Sequence, residues 1–370
     1  MLFFVALAAL LLAYANGAND NFKGVATLFG SRTTDYRKAL WWATLTTLAG
    51  SCAAVLVSGG LLQTFSGKGL VPDAILHEPS FLLAVGVGAA LTVLIATLIG
   101  LPISTTHALT GALVGAGLVT AGAVNLSKLG QTFFLPLAVS PFLSIAITSL
   151  VYPMFRAARR CLGVERQMCL CVDGGSVVPV LQRQDGAVVL PSTGVALSVG
   201  QLAQCTQRYH GSVIGIDAQW ILDRLHYVSA GAVSFARGLN DTPKIAALIL
   251  TAGALSVSTP QAMWIIGLMM AIGGVLNARR VAMTMSERIT SMNHGQGFTA
   301  NLVTAVLVTA ASRFGMPVST THVSCGSLFG LGAANGSAKW GMIRTIVLSW
   351  LATLPLAAAL AAGMAWAIRF

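Results

Sequence analysis

Apolar residues fill ten long stretches of the chain, separated by short polar loops and by one longer polar region. The stretches run over approximately 2–29, 39–62, 81–100, 105–122 and 131–155, and then over 226–254, 262–278, 298–312, 317–335 and 342–368. Their lengths are close to the ~20 residues that a helix needs to cross a bilayer. None shows the period-two alternation of a membrane β-barrel, so helices are expected. The pattern therefore predicts an all-α polytopic membrane protein with about ten apolar helical segments.

The composition supports this class and excludes several others. Of the 370 residues, 55% are hydrophobic and 9% are charged, whereas soluble domains have about 25% charged residues. This excludes an ordinary soluble enzyme, a disordered chain and a secreted disulfide scaffold, and it makes the lipid bilayer the expected partner. The net charge of +11 comes without basic runs that interleave aromatic residues, so no nucleic-acid partner is expected.

The polar region at 156–225 differs from the rest of the chain. Its β-branched runs are broken by glycine, proline and Asp-Gly, which predicts a small β-rich module or an ordered loop without assignable chemistry. It holds four of the six cysteines, which are Cys161, Cys169, Cys171 and Cys205. Reduced thiols are the default interpretation, and a zinc site is a weak alternative because this spacing matches no standard ligand pattern.

Two motifs occur twice, in the same order. The first, G-x-N-D-x-x-K, covers 17–23 and again 238–244. The second, G-x-P-x-S-T-T-H, covers 100–107 and again 315–322. The copies are offset by 221 and 215 residues, and two ordered matches at nearly one offset indicate an internal duplication.

The duplication divides the chain into three parts. A first membrane repeat covers 1–155, a central cytoplasmic loop or small module covers 156–225, and a second membrane repeat covers 226–370. The N-terminal apolar stretch resembles a signal peptide, but it lacks a basic leader and is followed by a repeated motif. It is therefore interpreted as the first membrane helix.

The positive charges predict the orientation in the membrane. They concentrate in loops at 31–38, 156–225 and 279–297, the last of which carries Arg279, Arg280 and Arg288. Placing these loops in the cytoplasm satisfies the positive-inside tendency. An odd number of crossings then precedes the central region, so the second repeat starts on the opposite side from the first. The sequence predicts an inverted-topology repeat in the cell (inner) membrane, with both termini outside.

Each repeat places an Asn-Asp pair in an apolar segment. A carboxylate at the centre of a membrane helix costs about 2.5–3.5 kcal/mol, so two symmetric copies, Asp20 and Asp241, indicate a function rather than structural pairing. The preceding Gly17 and Gly238 are expected to let the helix break, and Pro243 to interrupt the second copy further. The sequence thus predicts two interrupted or re-entrant helical regions that offer carbonyls to a cation and amides to an anion.

The second motif has the features of an anion site. Proline suits the first turn of a helix, and the following hydroxyls lie beside its free amides. The hydroxyl residues are Ser104, Thr105, Thr106, Ser319, Thr320 and Thr321. Ordinary capping of two helices is the alternative. The adjacent His107 and His322 are interpreted as hydrogen-bonding partners of nearby backbone, and the G-x-x-x-G sequences at 111–115 and 326–330 as sites of close helix contact.

With these motifs, the chain resembles the inorganic phosphate transporter (PiT) family. That family carries both duplicated elements and an R-R-V-x-x-T signature, matched here at 279–284. The resemblance covers nearly all of the apolar chain but not 156–225. It implies cation-coupled uptake of phosphate through an inverted repeat that moves in an elevator-like or rocking manner. By the resemblance, the serines and threonines above bind phosphate, and phosphate and the cation, sodium included, bind at Asn19, Asp20, Asn240 and Asp241.

Lys23 departs from the pattern of the family. Many members carry a small or amide residue at this position, whereas a lysine at the position of Lys244 is more usual in bacterial members. Each lysine follows its aspartate by three residues and shares a helical face with it, so Lys23 and Lys244 are both expected to reach the carboxylate of their own repeat or the bound anion. Lys23 is therefore expected to neutralise Asp20 or the bound anion and to weaken sodium dependence, with protons as the replacement. Snorkelling of Lys23 to the interface is the alternative.

Other functions stay open at this stage. Sulfate permeases occur in the same family, and sulfate has the shape of phosphate. An anion channel needs no pair of buried carboxylates, and no nucleophile–base constellation or metal motif indicates an enzyme. No cofactor is expected apart from a coupling ion, sodium or proton. The sequence leaves that choice open, and it also leaves a homodimer open.

Overall fold

A computed structural model describes residues 1–57, 59–162, 168–173, 196–201 and 214–369. Within these residues, six helices are long and apolar enough to cross a membrane. They span Leu2–Asp20, Tyr36–Leu56, Pro79–Ile99, Leu126–Cys161, Thr259–Asn277 and Trp340–Arg369. The protein is thus a helical, multi-pass membrane protein, and the larger count of ten crossing segments stays a prediction.

The helices of the first half begin near the N-terminus and end before the central region. They are α1 (Leu2–Asp20), α2 (Ala26–Gly30), α3 (Tyr36–Val57), α4 (Gly59–Phe65), α5 (Pro79–Ile99), α6 (Thr105–Ala121), α7 (Leu126–Lys128) and α8 (Leu135–Cys161). A π-helical turn, Leu129–Phe134, joins α7 to α8, and a 3₁₀ turn, Asp73–Ile75, precedes α5.

The helices of the second half run from Ala218 to Arg369. They are α9 (Ala218–Thr251), α10 (Thr259–Asn277), α11 (Arg279–Met283), α12 (His294–Arg313), α13 (Thr320–Asn335) and α14 (Trp340–Arg369). A 3₁₀ turn, Ala254–Ser256, precedes α10, and a π-helical turn, Thr284–Arg288, follows α11.

The core lies between helices of both repeats. Helix α1 packs against α5 and α10, α6 packs against α5 and α14, and α3 packs against α10. Alanine, leucine and valine dominate the buried side chains of α1, α5 and α6. Apolar burial drives no association inside lipid, so close packing between small side chains holds such helices together.

Glycines at matching positions of the two repeats allow the closest helix contacts. A Cβ built on Gly17 of α1 would lie 1.9 Å from the carbonyl oxygen of Met270 in α10, and one on Gly238 of α9 would lie 2.1 Å from that of Thr47 in α3. No side chain fits at these distances. The contacts are reciprocal, since the motif helix of each repeat lies against the second long helix of the other.

The G-x-x-x-G glycines make a second reciprocal pair of contacts. A Cβ built on Gly115 of α6 would lie 2.0 Å from Ala358 O in α14, and one on Gly330 of α13 would lie 2.5 Å from Ile145 O in α8. Each of these helices thus packs on the last helix of the other repeat. The predicted role of these glycines in close helix contact is confirmed by this geometry.

The expected helix breaks occur in only one repeat. Helix α1 ends at Asp20 and a turn at 21–25 separates it from α2, so the first copy is interrupted. In the second copy, α9 continues through Asn240, Asp241 and Pro243 to Thr251, so the predicted interruption there is wrong. Neighbouring helices can satisfy the backbone groups that an intrahelical proline frees. The predicted role of Gly17 and Gly238 is also wrong, because both lie inside helices and serve close packing.

The central part of the chain forms a separate compact unit, Met154–Leu225. Its described strands are β1 (Met168–Asp173), β2 (Ala196–Gln201) and β3 (Ile214–Asp217). They form an antiparallel sheet in the order β2-β1-β3, in which Leu170 pairs with Val199 and with Ile216. Of the four cysteines considered for zinc, Cys205 lies outside the described residues.

The close contacts predict a strong effect of a single methyl group. Gly115→Ala and Gly330→Ala should each lower stability by about 1–3 kcal/mol, because the new Cβ must push a helix backbone away. Gly363→Ala is the matched control, since a Cβ at Gly363 of α14 meets no atom within 4 Å. Thermal unfolding of the purified protein in detergent measures this. Equal melting temperatures for all three variants would contradict the packing role.

Candidate functional site

Each Asn-Asp-x-x-Lys motif brings its lysine onto its own aspartate. Lys23 Nζ donates a hydrogen bond to Asp20 Oδ1, and Lys244 Nζ lies 3.4 Å from Asp241 Oδ1. All four residues are at most 2% exposed. Buried charges are tolerated only when they are paired, so each pair neutralises a cost that either residue alone would impose.

Lys23 also connects the two repeats. Its Nζ donates to the carbonyl oxygen of Ile103 at 2.9 Å and to Thr321 Oγ1 at 2.5 Å. Thr321 Oγ1 in turn donates to Ile103 O at 2.7 Å. Ile103 belongs to the first G-x-P-x-S-T-T-H segment and Thr321 to the second, so one ammonium group holds both segments together.

Lys244 makes the equivalent contacts from the second repeat. Its Nζ donates to Val318 O at 2.8 Å and to Thr106 Oγ1 at 2.8 Å. Thr106 Oγ1 lies 3.2 Å from Val318 O and donates to it. Val318 and Thr106 occupy the places that Ile103 and Thr321 occupy around Lys23, so the two halves of the site are built alike.

The two asparagines tie each motif to the helix or segment beside it. Asn19 Nδ2 donates to Thr97 Oγ1 at 3.0 Å. In the second repeat, Ser312 Oγ donates to Asn240 Oδ1 at 3.3 Å, and Asn240 Nδ2 donates to Val318 O at 3.2 Å. Thr97 and Ser312 are 215 residues apart. They are therefore equivalent hydroxyl partners, although the direction of the hydrogen bond differs.

Arg237 breaks the symmetry of the site. It is 1% exposed and donates through Nη2 to Asn16 Oδ1 at 2.7 Å, and through Nη1 to Asn21 Oδ1 and Thr47 Oγ1, both at 3.2 Å. Its Nε lies 3.9 Å from Asp241 Oδ2 and has no hydrogen-bond partner. Arg237 and Asn16 occupy equivalent positions of the two repeats, 221 residues apart. The second repeat therefore has a guanidinium group where the first has an amide, and the two side chains contact each other.

The side-chain amide of Asn16 lies between both carboxylates and Thr105 of the first G-x-P-x-S-T-T-H segment. Its Nδ2 lies 2.9 Å from Thr105 Oγ1, 3.2 Å from Asp20 Oδ2 and 3.4 Å from Asp241 Oδ2. On the other side, Thr320 Oγ1 donates to Asp241 Oδ2 at 3.4 Å. The threonines that begin α6 and α13 therefore both reach the middle of the site.

Most of the residues predicted from the sequence thus form one connected group, termed here the central cluster. It consists of Asn16, Asn19, Asp20, Lys23, Thr105, Thr106, Arg237, Asn240, Asp241, Lys244, Thr320 and Thr321. With every group ionised, the three cations and two carboxylates leave a net charge of +1. The N-terminal ends of α6 and α13 add the positive ends of two helix dipoles. The cluster can therefore accept an anion that offers several oxygen acceptors.

Ser104 and Ser319 stand apart from the central cluster. Their Oγ atoms cap α6 and α13 by accepting from His107 N and His322 N, each at 3.1 Å. The two histidine rings lie 4.7 Å apart between centroids, and His322 Nδ1 lies 3.2 Å from Leu137 O. The serines thus make the capping contacts that the sequence offered as the alternative to anion binding.

Known proteins are similar to this chain over most of its length. The model of the phosphate transporter family matches residues 16–361. The chain belongs to the phosphate transporter family. A relative from Thermococcus kodakarensis, provisionally named a phosphate permease, is 30% identical and covers 95% of this chain and 93% of its own length. The chloroplastic inorganic phosphate transporter 2-1 of Arabidopsis thaliana is 27% identical over 96% of this chain and 70% of the relative.

A solved structure has the same fold. It is titled the sodium-dependent phosphate transporter, and it matches 100% of this chain and 98% of its own with a TM-score of 0.76 at 22% identity. At 22% identity, the similarity establishes the fold of the present chain. It does not establish which ion or substrate the present chain binds.

Arg237 and Asn16 are the members of the cluster that the sequence prediction missed. The signal was present, because Arg237 is a charged residue in an apolar segment and both residues fall one position before the glycine of the repeated motif. The two residue types differ, so comparison of the repeats alone did not single them out.

The lysine–aspartate pairs predict a coupling that a double-mutant cycle can measure. Lys244→Met alone should cost about 3–5 kcal/mol, because it leaves Asp241 with fewer partners in a buried site. Lys244→Met combined with Asp241→Asn should be more stable than that single variant. Thermal unfolding in detergent gives the four values.

Lys38 and Asp35 provide the control, since that pair is exposed on both sides, and exposed pairs contribute only about 0–1 kcal/mol. Additive effects at Lys244 and Asp241 would contradict the pairing.

Proposed function

We propose that this family member is a secondary active transporter that takes up inorganic phosphate by symport with a cation, sodium or proton. The observation that carries the proposal is the central cluster. Each repeat contributes one Asn-Asp-x-x-Lys segment and one helix N-terminus. Their hydroxyls, amides, ammonium groups and carboxylates meet in one buried group. Such donors suit a tetrahedral oxyanion, and the names of the relatives support phosphate.

The transport mechanism follows from the duplication. The reciprocal glycine contacts support two repeats, 1–155 and 226–370, that are inverted relative to each other in the membrane. The positive loops favour a cytoplasmic central region and external termini in the cell (inner) membrane. The residues of the cluster are at most 5% exposed. Substrate therefore reaches it only when one side of the protein opens, as alternating access requires.

Within the cluster, the threonine hydroxyls and the lysines are the proposed phosphate ligands. Thr106 and Thr321 donate to backbone carbonyls of the opposite repeat in the present state, and the lysines contact the same carbonyls. A phosphate that enters between the repeats offers stronger, charged acceptors. Exchanging carbonyl contacts for phosphate contacts would couple binding to separation of the two segments.

Charge determines how many cations must accompany the anion. The cluster carries +1 when all its groups are ionised, so dihydrogen phosphate, with one negative charge, would neutralise it. Hydrogen phosphate, with two, leaves one negative charge for a proton or a sodium ion to balance. Asn19 and Asp20 offer the oxygens that sodium prefers, but Lys23 Nζ already contacts both of them. We infer weaker sodium dependence than in relatives without this lysine.

Sulfate is the competing substrate. It has the shape of phosphate but carries no proton near neutral pH. The carboxylate oxygens of Asp20 and Asp241 can accept a hydrogen bond from a protonated phosphate oxygen and would repel an oxygen without a proton. The cluster therefore favours phosphate.

The first test is uptake of phosphate into proteoliposomes, with sodium and pH gradients varied independently. Wild type should accumulate phosphate against its gradient, with little competition from sulfate. Asp20→Asn and Asp241→Asn should each reduce accumulation to background, because each removes a charge on which substrate or ion binding depends. Asp35→Asn, in an exposed loop, is the control. Normal accumulation by both buried variants would contradict the assignment of the site.

The second test addresses coupling. Uptake by wild type should depend weakly on sodium, whereas uptake by Lys23→Ala should rise steeply with it, because sodium can then occupy the place of the ammonium group. Uptake is measured across sodium concentration at fixed pH, with the exposed Lys38→Ala as the matched control. Steep sodium dependence in wild type that Lys23→Ala leaves unchanged would exclude the proposed role.

A further inference from the structure

A cavity outside the central cluster is lined by three arginines. Its volume is about 580 Å³, and it lies between the ends of α5 and α10 and the segment from α11 to Arg288. Arg279, Arg280 and Arg288 line it, and no carboxylate is among the described residues of its wall. None of the three arginines forms an ion pair with an acidic residue in the part of the chain that the structure describes. No carboxylate of the described residues therefore neutralises these arginines by direct contact.

The cavity reaches the edge of the central cluster. Ala18 and Thr97 both line it. Asn19, the residue after Ala18, donates to Thr97 Oγ1 at 3.0 Å and is hydrogen-bonded to Lys23 Nζ at 2.9 Å. One asparagine side chain thus links the wall of the cavity to the lysine of the cluster.

Arg280 is held in place at the segment that leads to the first hydroxyl motif. Its Nη1 donates to Leu98 O at the end of α5. A Cβ built on Gly100, which adopts a φ of 75°, would lie 3.5 Å from Arg280 Cβ. Gly100 begins the motif that contains Thr105 and Thr106 of α6. The arginine therefore packs directly on the backbone that positions half of the site.

The equivalent place in the other repeat holds no side chain. Gly315 is the counterpart of Gly100, and a Cβ built on it would lie 3.2 Å from the Cα of Gly60. A second cavity, of about 460 Å³, lies beside α4 and the end of α9. Its lining residues carry no charge; they are Gly59, Leu62, Gln63, Ala247, Leu250 and Thr251. Gly315 therefore packs against a glycine where Gly100 packs against Arg280 and borders the basic cavity.

We propose that the cavity of Arg279, Arg280 and Arg288 is a vestibule that binds a free inorganic oxyanion on its way between solution and the central cluster. This rests on the proposed function, because it takes phosphate as the transported ion. Exposed arginines at a helix end also follow from the positive-inside tendency alone. That tendency, however, does not require three of them to line one cavity whose wall reaches Thr97. Basic clefts concentrate anions at low ionic strength.

The test measures phosphate exchange in proteoliposomes of phosphatidylcholine, with the orientation of the protein determined and phosphate varied on one face at a time. Arg279→Gln/Arg288→Gln should raise the half-saturating phosphate concentration about ten-fold on the face to which residues 279–288 open, and leave the other face unchanged. The effect should shrink as ionic strength rises. Arg279→Lys/Arg288→Lys keeps both charges and should resemble wild type.

Arg344→Gln is the matched control, because Arg344 is exposed and does not line the cavity. An equal effect on both faces, no effect, or an equal effect of Arg344→Gln would overturn the vestibule. An effect that appears only after phosphatidylglycerol is added would also overturn it, by assigning the cavity to a lipid headgroup. Absence of phosphate exchange in wild type would instead refute the proposed function. If the double variant does not fold, Arg288→Gln alone provides the comparison.

Discussion

Five charged side chains lie buried at the centre of this protein, and most of the architecture around them serves to give each charge a partner. A charge in a low-dielectric interior is stable only if it is paired and its remaining hydrogen-bonding capacity is used. Lys23 and Lys244 meet this requirement with one carboxylate from their own repeat and with carbonyl and hydroxyl oxygens that include groups from the other. The repeats are consequently held together by the same groups that an incoming anion would compete for.

That arrangement depends on helices that approach very closely. Asn16 can reach Arg237 and both carboxylates only because α1 and α9 are held near each other at the centre. Gly17 and Gly238 allow the neighbouring helices α10 and α3 to pack against them without an intervening side chain. Small residues of this kind support membrane packing in general. Here the two glycines lie directly beside Asn16 and Arg237, which make contacts across the centre of the site.

The sequence predicted a membrane protein of apolar helices and named most of the residues that meet in the central cluster. Charges placed in apolar segments are costly, and their repetition beside hydroxyl motifs indicates a site. The sequence could not predict the partners of Lys23 and Lys244, since Thr321 and Thr106 lie 298 and 138 residues away in the chain. The continuity of α9 through Pro243 was also missed. Local propensity favours a break at that residue, and only the packing of neighbouring helices overrides it.

The two copies of the motifs lie in similar surroundings but differ in the charges near them. Arg237 stands opposite Asn16, and Arg280 stands where the other repeat has Gly60. A symmetric site between symmetric mouths would hold its ligand equally well in both orientations of the repeats. The arginines beside Gly100 make the field there more positive than it is beside Gly315, where Gly60 packs. In the proposed alternating-access cycle, the two open states would therefore bind an anion with different free energies. In that proposed cycle the inequality of the two states would follow from the unmatched arginines, because the repeated motifs alone place similar ligands on both sides.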